Sequence, residues 1–332
     1  MKTLLIYGAA GYTGRMAAAR AKQVGLEVVL AGRDAGPLAS LARDLQLEYR
    51  VIALDEADVV ERGLADIDVL LNCAGPFVHT AAALMSACLR TGTHYLDIAA
   101  ELDSYQLAGK WHQQALDAGV MLLPGSGGSV AMLGSLAAHA IARVSAAVSL
   151  RIALHVSGGM SRGSAVSASQ NLTAECLMLH HGVLTPCDPS QVRDFDFGGY
   201  RASCFPITLP DLLTIAQQSG LADIETYAHV SGSAFPEGDL AALPDGPTAA
   251  EREANRYQAS VEVIDTEGAV ARAVLDTVNG YSFTPLAAVE ASRRVLAGEF
   301  HGGFQTPVGL FGSGFAETIA DTRITDLPIK RV

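Results

Sequence analysis

Short apolar runs alternate with alanine-rich segments of helical period along the first third of the chain. The apolar runs are KTLLIYG, EVVLAGR, EYRVIALD, IDVLLNCAG, HYLDI and VMLLPG. They are nearly continuous rather than alternating, which is typical of parallel strands that are covered on both faces. The segments between them, such as TGRMAAARAKQVG, have the length of the helices in βαβ units. This pattern predicts an α/β fold with a doubly wound parallel sheet over residues 1–128.

The pattern changes near Val148, where alternation of apolar and polar residues replaces the continuous runs. VSLRIALHVSGG alternates as a strand, whereas SRGSAVSASQNLTAECLMLHHG predicts a long helix. RYQASVEVID and AVARAVLDTVNGY predict a hairpin around Thr266, Glu267 and Gly268. Residues 182–258 hold 7 of the 13 prolines, so this stretch is predicted to be loop-rich apart from a short helix in PDLLTIAQQSG.

The segment GAAGYTG follows the first predicted strand directly and opens the first predicted helix. Its glycines, Gly8, Gly11 and Gly14, permit a tight turn and let the backbone approach a pyrophosphate. The start of the helix adds free N–H groups and the positive end of the helix dipole. A dinucleotide-binding Rossmann turn is therefore predicted, and a plain glycine loop that ends the strand is the alternative.

The end of the second predicted strand bears on the choice between NADP and NAD. In LAGRD, Gly32 and Arg33 stand where an Asp or Glu would bind the ribose hydroxyls of NAD. Arg33 offers a charge-assisted fork to a 2′-phosphate, and Gly32 leaves room for that group. NADP is therefore favoured over NAD. Asp34 as a ribose ligand, and Arg33 as a solvated surface charge, are the alternatives.

Polar residues follow the fourth and fifth strands, at the edge of the sheet where ligands bind. NCAGPF, residues 72–77, is predicted to line the nicotinamide side of the cofactor. Asp97 and Glu101 are candidates to orient or protonate a substrate, with turn and helix-cap roles as the alternatives. Arg162 is a candidate clamp for a substrate carboxylate, and a surface arginine or dimer salt bridge is its alternative. His79 follows NCAGPF, but a helix-start histidine that faces water is the favoured interpretation.

Composition and charge narrow the class of partner. Hydrophobic residues make up 49% and charged residues 17% of the chain, as in ordinary globular proteins. A formal net charge of −12 disfavours nucleic acid and anionic lipid, so a small-molecule substrate is predicted. The apolar stretch 130–156 contains His139, Arg143 and Arg151, which favours a buried helix and strand over a membrane span. The amino terminus is interpreted as a strand rather than a signal peptide, and the pattern of the cysteines predicts a reduced, cytoplasmic protein.

The cysteines and histidines predict neither a disulfide framework nor a metal site. The five cysteines are odd in number, widely spaced and without a CxxC pair. Cys73 has no activating partner in the sequence and is interpreted as a small buried residue. His180 and His181 are adjacent on a predicted helix, where neighbouring side chains diverge.

Several segments taken together resemble one family. GAAGYTG, LAGRD, LLNCAGPF, ACLRTGTHYLDIAAE and GGMSRGSAVSASQN resemble the saccharopine dehydrogenase-like family of NADP-binding oxidoreductases, and GYSFTPLAAVEASRRVLAGE resembles its returning helix. The resemblance implies a Rossmann domain at 1–128 and a discontinuous α+β domain at 129–282 that covers the nicotinamide and contributes to a homodimer. It also implies that the C-terminal segment 283–332 returns to the Rossmann domain.

The resemblance further implies roles for individual residues. Asp97 and Glu101 match the acidic positions of the family's YxDxxxE stretch. The residues implied to bind the cofactor are Gly8, Ala10, Gly11, Tyr12, Thr13 and Gly14 at the pyrophosphate, Arg33 at the adenosine phosphate, and Asn72, Ala74, Gly75 and Pro76 beside the nicotinamide ribose. Many relatives carry a GFDxxP turn where this chain has GGSVAM, residues 127–132. Their amino-acid substrate contacts are therefore not expected here, and the chain is not interpreted as a saccharopine dehydrogenase itself.

The sequence thus predicts an NADP(H)-dependent oxidoreductase that transfers hydride at a C=N, or else a polarised C=C, bond of a small organic substrate. Asp97, Glu101 and Arg162 would orient or protonate that substrate. The alternative is a non-catalytic NADP-binding protein that senses redox state or acts through a partner. A semialdehyde dehydrogenase would need a cysteine nucleophile, and none of the late cysteines has a suitable sequence context: Cys176, Cys187 and Cys204.

Overall fold

The computed structural model describes residues 2–171, 175–232 and 243–331. The chain forms two compact units, each assembled from separate segments. The first unit comprises Met1–Gly128 and Thr284–Leu310, and the second comprises Ser129–Phe283 and Phe311–Val332. Among the described residues, no helix combines the length and apolar character that crossing a bilayer requires.

In the described part of the first unit, seven parallel strands form one sheet. In spatial order they are β15 (Gly303–Phe304), β6 (Met121–Leu123), β5 (His94–Asp97), β4 (Val69–Asn72), β1 (Thr3–Tyr7), β2 (Glu27–Gly32) and β3 (Glu48–Val51). The order of β1 to β6 is that of a doubly wound dinucleotide-binding sheet. Its topological switch point lies between β1 and β4, which are adjacent strands. A ligand is expected at the carboxyl ends of these two strands.

Six helices connect the strands of the first unit within the described residues. They are α1 (Tyr12–Gln23), α2 (Ala35–Leu45), α3 (Ala57–Leu64), α4 (Ala81–Thr91), α5 (Leu102–Lys110) and α6 (His112–Asp117). The continuous apolar runs are buried as expected, since Leu4, Leu5 and Ile6 of β1 have no exposed surface. The predicted alternation of strand and helix is therefore confirmed in this part of the chain.

The second unit is built on a mixed sheet. Its described strands are β7 (Ala147–Ser157), β8 (Leu177–His180), β9 (Val183–Pro186), β10 (Arg193–Asp196), β11 (Arg201–Pro206), β12 (Ile224–Ser231), β13 (Tyr257–Asp265), β14 (Ala269–Thr277) and β16 (Arg323–Arg331). The order is β10-β11-β12-β7-β13-β14-β16, with β8 paired to β12 and to β9. β7 and β12 are parallel, whereas β13 and β14 form the predicted antiparallel hairpin.

Six further helices belong to the rest of the described chain. They are α7 (Gly128–Ile141), α8 (Arg162–Asn171), α9 (Asp211–Ser219), α10 (Ala249–Ala254), α11 (Gly280–Leu296) and α12 (Pro307–Phe311). α9 follows Pro210 and ends at Gly220, whose left-handed backbone stops the helix as the sequence predicted.

Two predictions for the second unit are wrong. The long helix predicted between residues 161 and 182 is interrupted, because α8 ends at Asn171 and the strand β8 follows. The stretch 182–258 is richer in strands than predicted, since β9 to β12 lie within it. β9 and β10 pair with the neighbouring strands β8 and β11, whereas β12 also pairs with β7, which lies far away in the sequence. The pairing of β12 with β7 therefore leaves no local pattern in the chain.

The C-terminal segment also differs from its predicted assignment. Residues 284–310 belong to the first unit, but residues 311–332 belong to the second. The cause is β16, which pairs antiparallel with β14 and so adds an edge strand to the second sheet. Only part of the segment 283–332 therefore returns to the first unit.

Candidate active site

The glycine turn after β1 leaves no room for side chains. Gly8 has a positive φ of 75°, and a Cβ atom there would lie 2.8 Å from the Cβ of Ala74. A Cβ at Gly14 would lie 2.9 Å from the Cα of Ala9 and would also strike the carbonyl of Gly8. The turn is closed by a hydrogen bond of 3.0 Å from the Gly11 N–H to the Gly8 carbonyl. Glycine at these positions therefore lets β1 turn directly into α1.

The start of α1 has the features of an anion-binding helix end. Tyr12 and Thr13 open the helix, and the Arg15 N–H donates to the Gly11 carbonyl at 2.9 Å. A helix supplies no carbonyl partner for the N–H groups of its first turn. The N-cap residue, Gly11, has no side chain to cap this end, and the first turn holds no acidic residue. The Arg15 side chain instead donates to the Ala10 carbonyl at 2.7 Å, which holds the glycine turn. This geometry fits a pyrophosphate.

Arg33 lies where a second phosphate would be recognised. It follows the last residue of β2 and is exposed. In the part of the chain that the structure describes, its guanidinium has no hydrogen-bond or ion-pair partner. A Cβ at Gly32 would make only ordinary contacts, the nearest at 3.6 Å to Leu38, so packing does not require glycine there. Among the described residues, Arg33 therefore offers an exposed, unpaired cation at the end of β2, which fits a 2′-phosphate.

Asn72 holds the loop after β4. Its side chain is fully buried, and its Oδ1 accepts from the Ala74 N–H at 3.0 Å. Its Nδ2 donates to Thr80 Oγ1 at 3.0 Å and to Tyr95 Oη at 3.2 Å. Thr80 Oγ1 in turn donates to the Ala74 carbonyl at 2.8 Å. The side chain of Asn72 is thus used to shape the loop, which continues through a cis peptide between Gly75 and Pro76.

Asp97 is fully buried at the end of β5. Its Oδ1 accepts from the backbone N–H groups of Ala99 at 2.9 Å and Gly125 at 2.7 Å, and its Oδ2 accepts from Tyr95 Oη at 2.8 Å. Burial raises the pKa of Asp97 to about 6, although these hydrogen bonds favour the charged form. A carboxyl without exposed surface is better suited to holding the loops after β5 and β6 than to touching a substrate. The structure therefore favours a positioning role for Asp97.

Glu101 lies beside Asp97 at the start of α5. It occupies the N-cap position, but its side chain makes no capping hydrogen bond. Its Oε2 accepts from the Ala100 N–H at 3.0 Å, and most of its surface is buried. The charge of Glu101 contributes to the raised pKa of Asp97. The structure therefore brings these two predicted residues together.

Arg162 belongs to the second unit, at the start of α8. Its guanidinium pairs with the Asp245 carboxylate and donates to the Leu243 carbonyl at 3.3 Å. The predicted clamp for a substrate carboxylate is therefore engaged by a carboxylate of the protein itself. Both partners of the ion pair are about half exposed, so a substrate carboxylate could replace the Asp245 carboxylate without steric hindrance.

Three further residues of the first unit, Tyr95, Cys73 and His79, have surroundings that bear on the predicted site. Tyr95 links Asn72 to Asp97 and was missed from the sequence, although it stands two residues before Asp97 and so faces the same side of β5. Burial raises the pKa of Cys73 to about 12, which disfavours its reactive thiolate form at neutral pH. His79 ends a short 3-10 helix, Phe77–His79, and is exposed, as the favoured interpretation of the sequence expected.

Three metal-ligating side chains meet at the turn between β8 and β9, contrary to the prediction. His180, His181 and Asp223 could each offer one ligand atom to a metal ion. The prediction that the two histidines diverge is wrong, because they lie at a hairpin turn and not on a helix. His180 Nδ1 is 2.6 Å from Asp223 Oδ1, and a hydrogen bond from the His181 N–H lowers the pKa of Asp223. Their mutual hydrogen bonds account for this arrangement.

A family model and curated proteins match the first unit. Residues 4–123 match the family described as saccharopine dehydrogenase NADP binding domain. The chain therefore carries an NADP-binding domain of this kind, and the resemblance inferred from its motifs is confirmed there.

The trans-acting enoyl reductase of Mycobacterium bovis (strain BCG / Pasteur 1173P2) is 28% identical over 131 residues, which are 36% of this chain and 31% of that protein. The human saccharopine dehydrogenase-like oxidoreductase is 25% identical over 146 residues, 37% of this chain and 34% of that protein. The matches span about a third of the length of these relatives.

A solved structure extends the comparison to the whole fold. Saccharopine dehydrogenase (L-Glu forming) from Saccharomyces cerevisiae superposes with a TM-score of 0.67 at 11% sequence identity. The superposition covers 99% of this chain and 100% of that one. The similarity is one of fold, and it confirms the predicted class, a Rossmann α/β domain combined with an α+β domain.

Proposed function

We propose that this protein is an NADP(H)-dependent oxidoreductase that transfers hydride to or from a polarised double bond in a small organic substrate. The observation that carries the proposal is the unpaired guanidinium of Arg33 at the end of β2 among the described residues, together with the glycine turn that leads into α1 at the switch point of the sheet. An enoyl reductase among the relatives favours a C=C bond, whereas a saccharopine dehydrogenase fold favours C=N. The proposal therefore includes both C=C and C=N bonds as alternative sites of hydride transfer.

Each part of the site has a distinct task in this proposal. The first turn of α1 would bind the pyrophosphate, and Arg33 would bind the 2′-phosphate. The backbone of residues 73–76, shaped by Asn72, would face the nicotinamide ribose. NADPH supplies a hydride when it is bound. The buried chain from Asn72 through Tyr95 to Asp97 would fix the loops that border the reacting atoms.

A substrate that gains a hydride also needs a proton. Glu101 is the proposed proton donor or relay, because it lies beside Asp97 and retains a small exposed surface. Arg162 is proposed to orient an anionic substrate group, which would replace Asp245 as the partner of its guanidinium. Asp97 is proposed as a positioning residue.

Calorimetric titration of NADPH and NADH tests the cofactor half of the proposal. In Arg33→Ala, the preference for NADPH should fall by about 1.5–3 kcal/mol, or roughly 10- to 150-fold, since a hydrogen-bonded ion pair with the 2′-phosphate is lost. Arg43→Ala is the matched control, because Arg43 is an exposed cation on α2, the helix that follows Arg33. An equal loss in both variants would contradict the assignment of Arg33.

Loss of NADPH absorbance tests the catalytic half of the proposal. Two panels of substrates are needed, enoyl compounds and imine-forming pairs of an amine with a keto acid. Turnover in either panel that falls in Glu101→Gln supports the proposal. Tight NADPH binding without turnover in either panel would instead favour the alternative, a non-catalytic NADP-binding sensor.

A further inference from the structure

The hairpin of β8 and β9 brings two cysteines side by side. The register pairs Leu177 with Pro186, and the next step outward pairs Cys176 with Cys187. The Cys187 N–H donates to the Cys176 carbonyl at 2.8 Å, and the two Sγ atoms are also 2.8 Å apart. These two free cysteines are therefore close in space although they are 11 residues apart in the sequence. A shift of less than 1 Å brings the sulfurs to the ~2.05 Å of a disulfide.

Two of the other three cysteines have different surroundings, and the third, Cys73, is partly exposed but has its pKa raised by burial to about 12. Cys88 and Cys204 are buried, and burial raises the pKa of each thiol. Cys176 and Cys187 are partly exposed. Cys187 also lines a cavity of about 170 Å³, together with polar residues that include Glu225. A small solute can therefore reach this pair, whereas the buried thiols are shielded.

We propose that Cys176 and Cys187 are a redox-active dithiol that closes to an intramolecular disulfide on reaction with a small soluble disulfide of the glutathione class. Nothing in the proposal depends on the oxidoreductase activity proposed above. The pair lies within the second unit, and its reaction needs only the hairpin and an external disulfide.

The hydrogen bond between the sulfurs sets the order of the steps. The Cys187 thiol is placed to donate to Cys176 Sγ, and the proposal takes Cys176 as the attacking sulfur. Burial, followed by the hydrogen bond to Cys176, raises the pKa of Cys187 to about 12, so Cys187 keeps its proton at first. Bonding of Cys176 to an incoming sulfur removes this hydrogen bond and prepares Cys187 for the second step.

The reaction balances as two thiol–disulfide exchanges. The Cys176 thiolate attacks one sulfur of oxidised glutathione, the S–S bond breaks, and the first glutathione leaves and takes up a proton. Cys187 then loses its proton to solvent and attacks Cys176 Sγ, and the second glutathione leaves as a thiolate that is protonated. Two protein thiols are oxidised to one disulfide, and one glutathione disulfide is reduced to two thiols.

Alkylation and mass mapping of the full chain test this proposal. The protein is equilibrated in buffers of reduced and oxidised glutathione, quenched with acid, alkylated with N-ethylmaleimide and digested with trypsin. Arg162 and Arg193 bound a single peptide, 163–193, that holds both cysteines. We expect the doubly alkylated peptide to fall at least about tenfold across the titration, and to be replaced by an unalkylated peptide that is two hydrogens lighter than the dithiol.

The dependence on glutathione separates an intramolecular disulfide from simple glutathionylation. At the wild-type midpoint, the squared concentration of reduced glutathione divided by the concentration of oxidised glutathione should be constant, because two glutathione thiols are released for each glutathione disulfide consumed. In Cys187→Ser, Cys176 should carry glutathione, and the simple ratio of the reduced to the oxidised concentration should be constant at its midpoint instead. Cys204→Ser is the control and should behave as wild type.

Three results would overturn the proposal. Each is measured on the wild-type protein alone, so the test remains decisive even if a serine variant fails to fold. One is retention of two alkyl groups at every glutathione ratio. Another is a wild-type peptide that carries glutathione without losing both thiols. The last is a disulfide that joins the peptide to another peptide.

Discussion

The substitution Asp97→Asn tests whether the buried carboxyl at the end of β5 is ionised at neutral pH. The amide has the same shape, and its oxygen can accept from the Ala99 and Gly125 N–H groups as Oδ1 does. Its NH2 group replaces the Oδ2 that accepts from Tyr95. The hydrogen bond from Tyr95 is therefore lost at every pH, and the change that depends on pH is the loss of a titrating charge.

The structure sets the size and the sign of the effect. Burial raises the pKa of Asp97 from its ordinary value of 3.8 to about 6, so the folded protein binds this proton more tightly than the unfolded chain. The stabilisation that this proton provides is complete below about pH 4 and is lost as the pH rises through about 6. A pKa difference of this size corresponds to about 3 kcal/mol. Asparagine does not titrate, so the stability of the variant relative to wild type should increase by about 3 kcal/mol between about pH 4 and pH 7.

Urea unfolding at a series of pH values measures this difference. The chain has one tryptophan, Trp111, which lies in the first unit and reports its unfolding. Asp44→Asn is the control, because Asp44 is exposed on α2, and its difference from wild type should be flat with pH. A flat difference for Asp97→Asn as well would refute the reasoning. A difference of opposite sign would mean that the three hydrogen bonds outweigh the cost of burial.

The remaining predictions concern packing and pairing. Gly14→Ala should raise the Kd of NADPH in calorimetry at least about tenfold, because its Cβ strikes the glycine turn, whereas Gly36→Ala meets no atom within 4 Å and should leave the Kd unchanged. Asn72→Ala should lower the free energy of unfolding of the first unit by about 1–3 kcal/mol in urea titrations, since buried partners lose their hydrogen bonds. Asp196→Ala should destabilise the second unit by about 3 kcal/mol in denaturation followed by circular dichroism, because Arg272 is buried and loses its carboxylate. An unchanged Kd in Gly14→Ala, or an unchanged free energy of unfolding in Asn72→Ala or Asp196→Ala, would contradict the role assigned to that residue.

The features that sequence predicts well are local along the chain. The glycine turn, the strand before it and the helix after it are contiguous, so their pattern specifies the phosphate site without distant partners. The position of Arg33 follows in the same way, since it depends only on where β2 ends. The parallel sheet can be predicted equally well, because strands that are covered on both faces leave continuous apolar runs in the sequence.

Long-range partners account for what the sequence missed. The burial of Asp97 depends on Gly125, which is separated from it by a helical segment and a strand. The sequence around Arg162 does not indicate its ion pair with Asp245, because Asp245 is 83 residues away. The strand β8 has helix-like composition and becomes a strand through pairing with β9 and β12. The homodimer and the cytoplasmic location stay predictions.

The interrupted first unit has a consequence for biosynthesis. Its strands β1 to β6 leave the ribosome long before β15, the two-residue strand that pairs with β6. Until residue 304 has been made, one edge of the nascent sheet is an unpaired β6, which is a template for association with other chains. Translation that stops early would therefore release a nearly complete nucleotide-binding sheet with an open edge. Quality control of this protein in the cell is expected to depend on the speed with which its last third is synthesised.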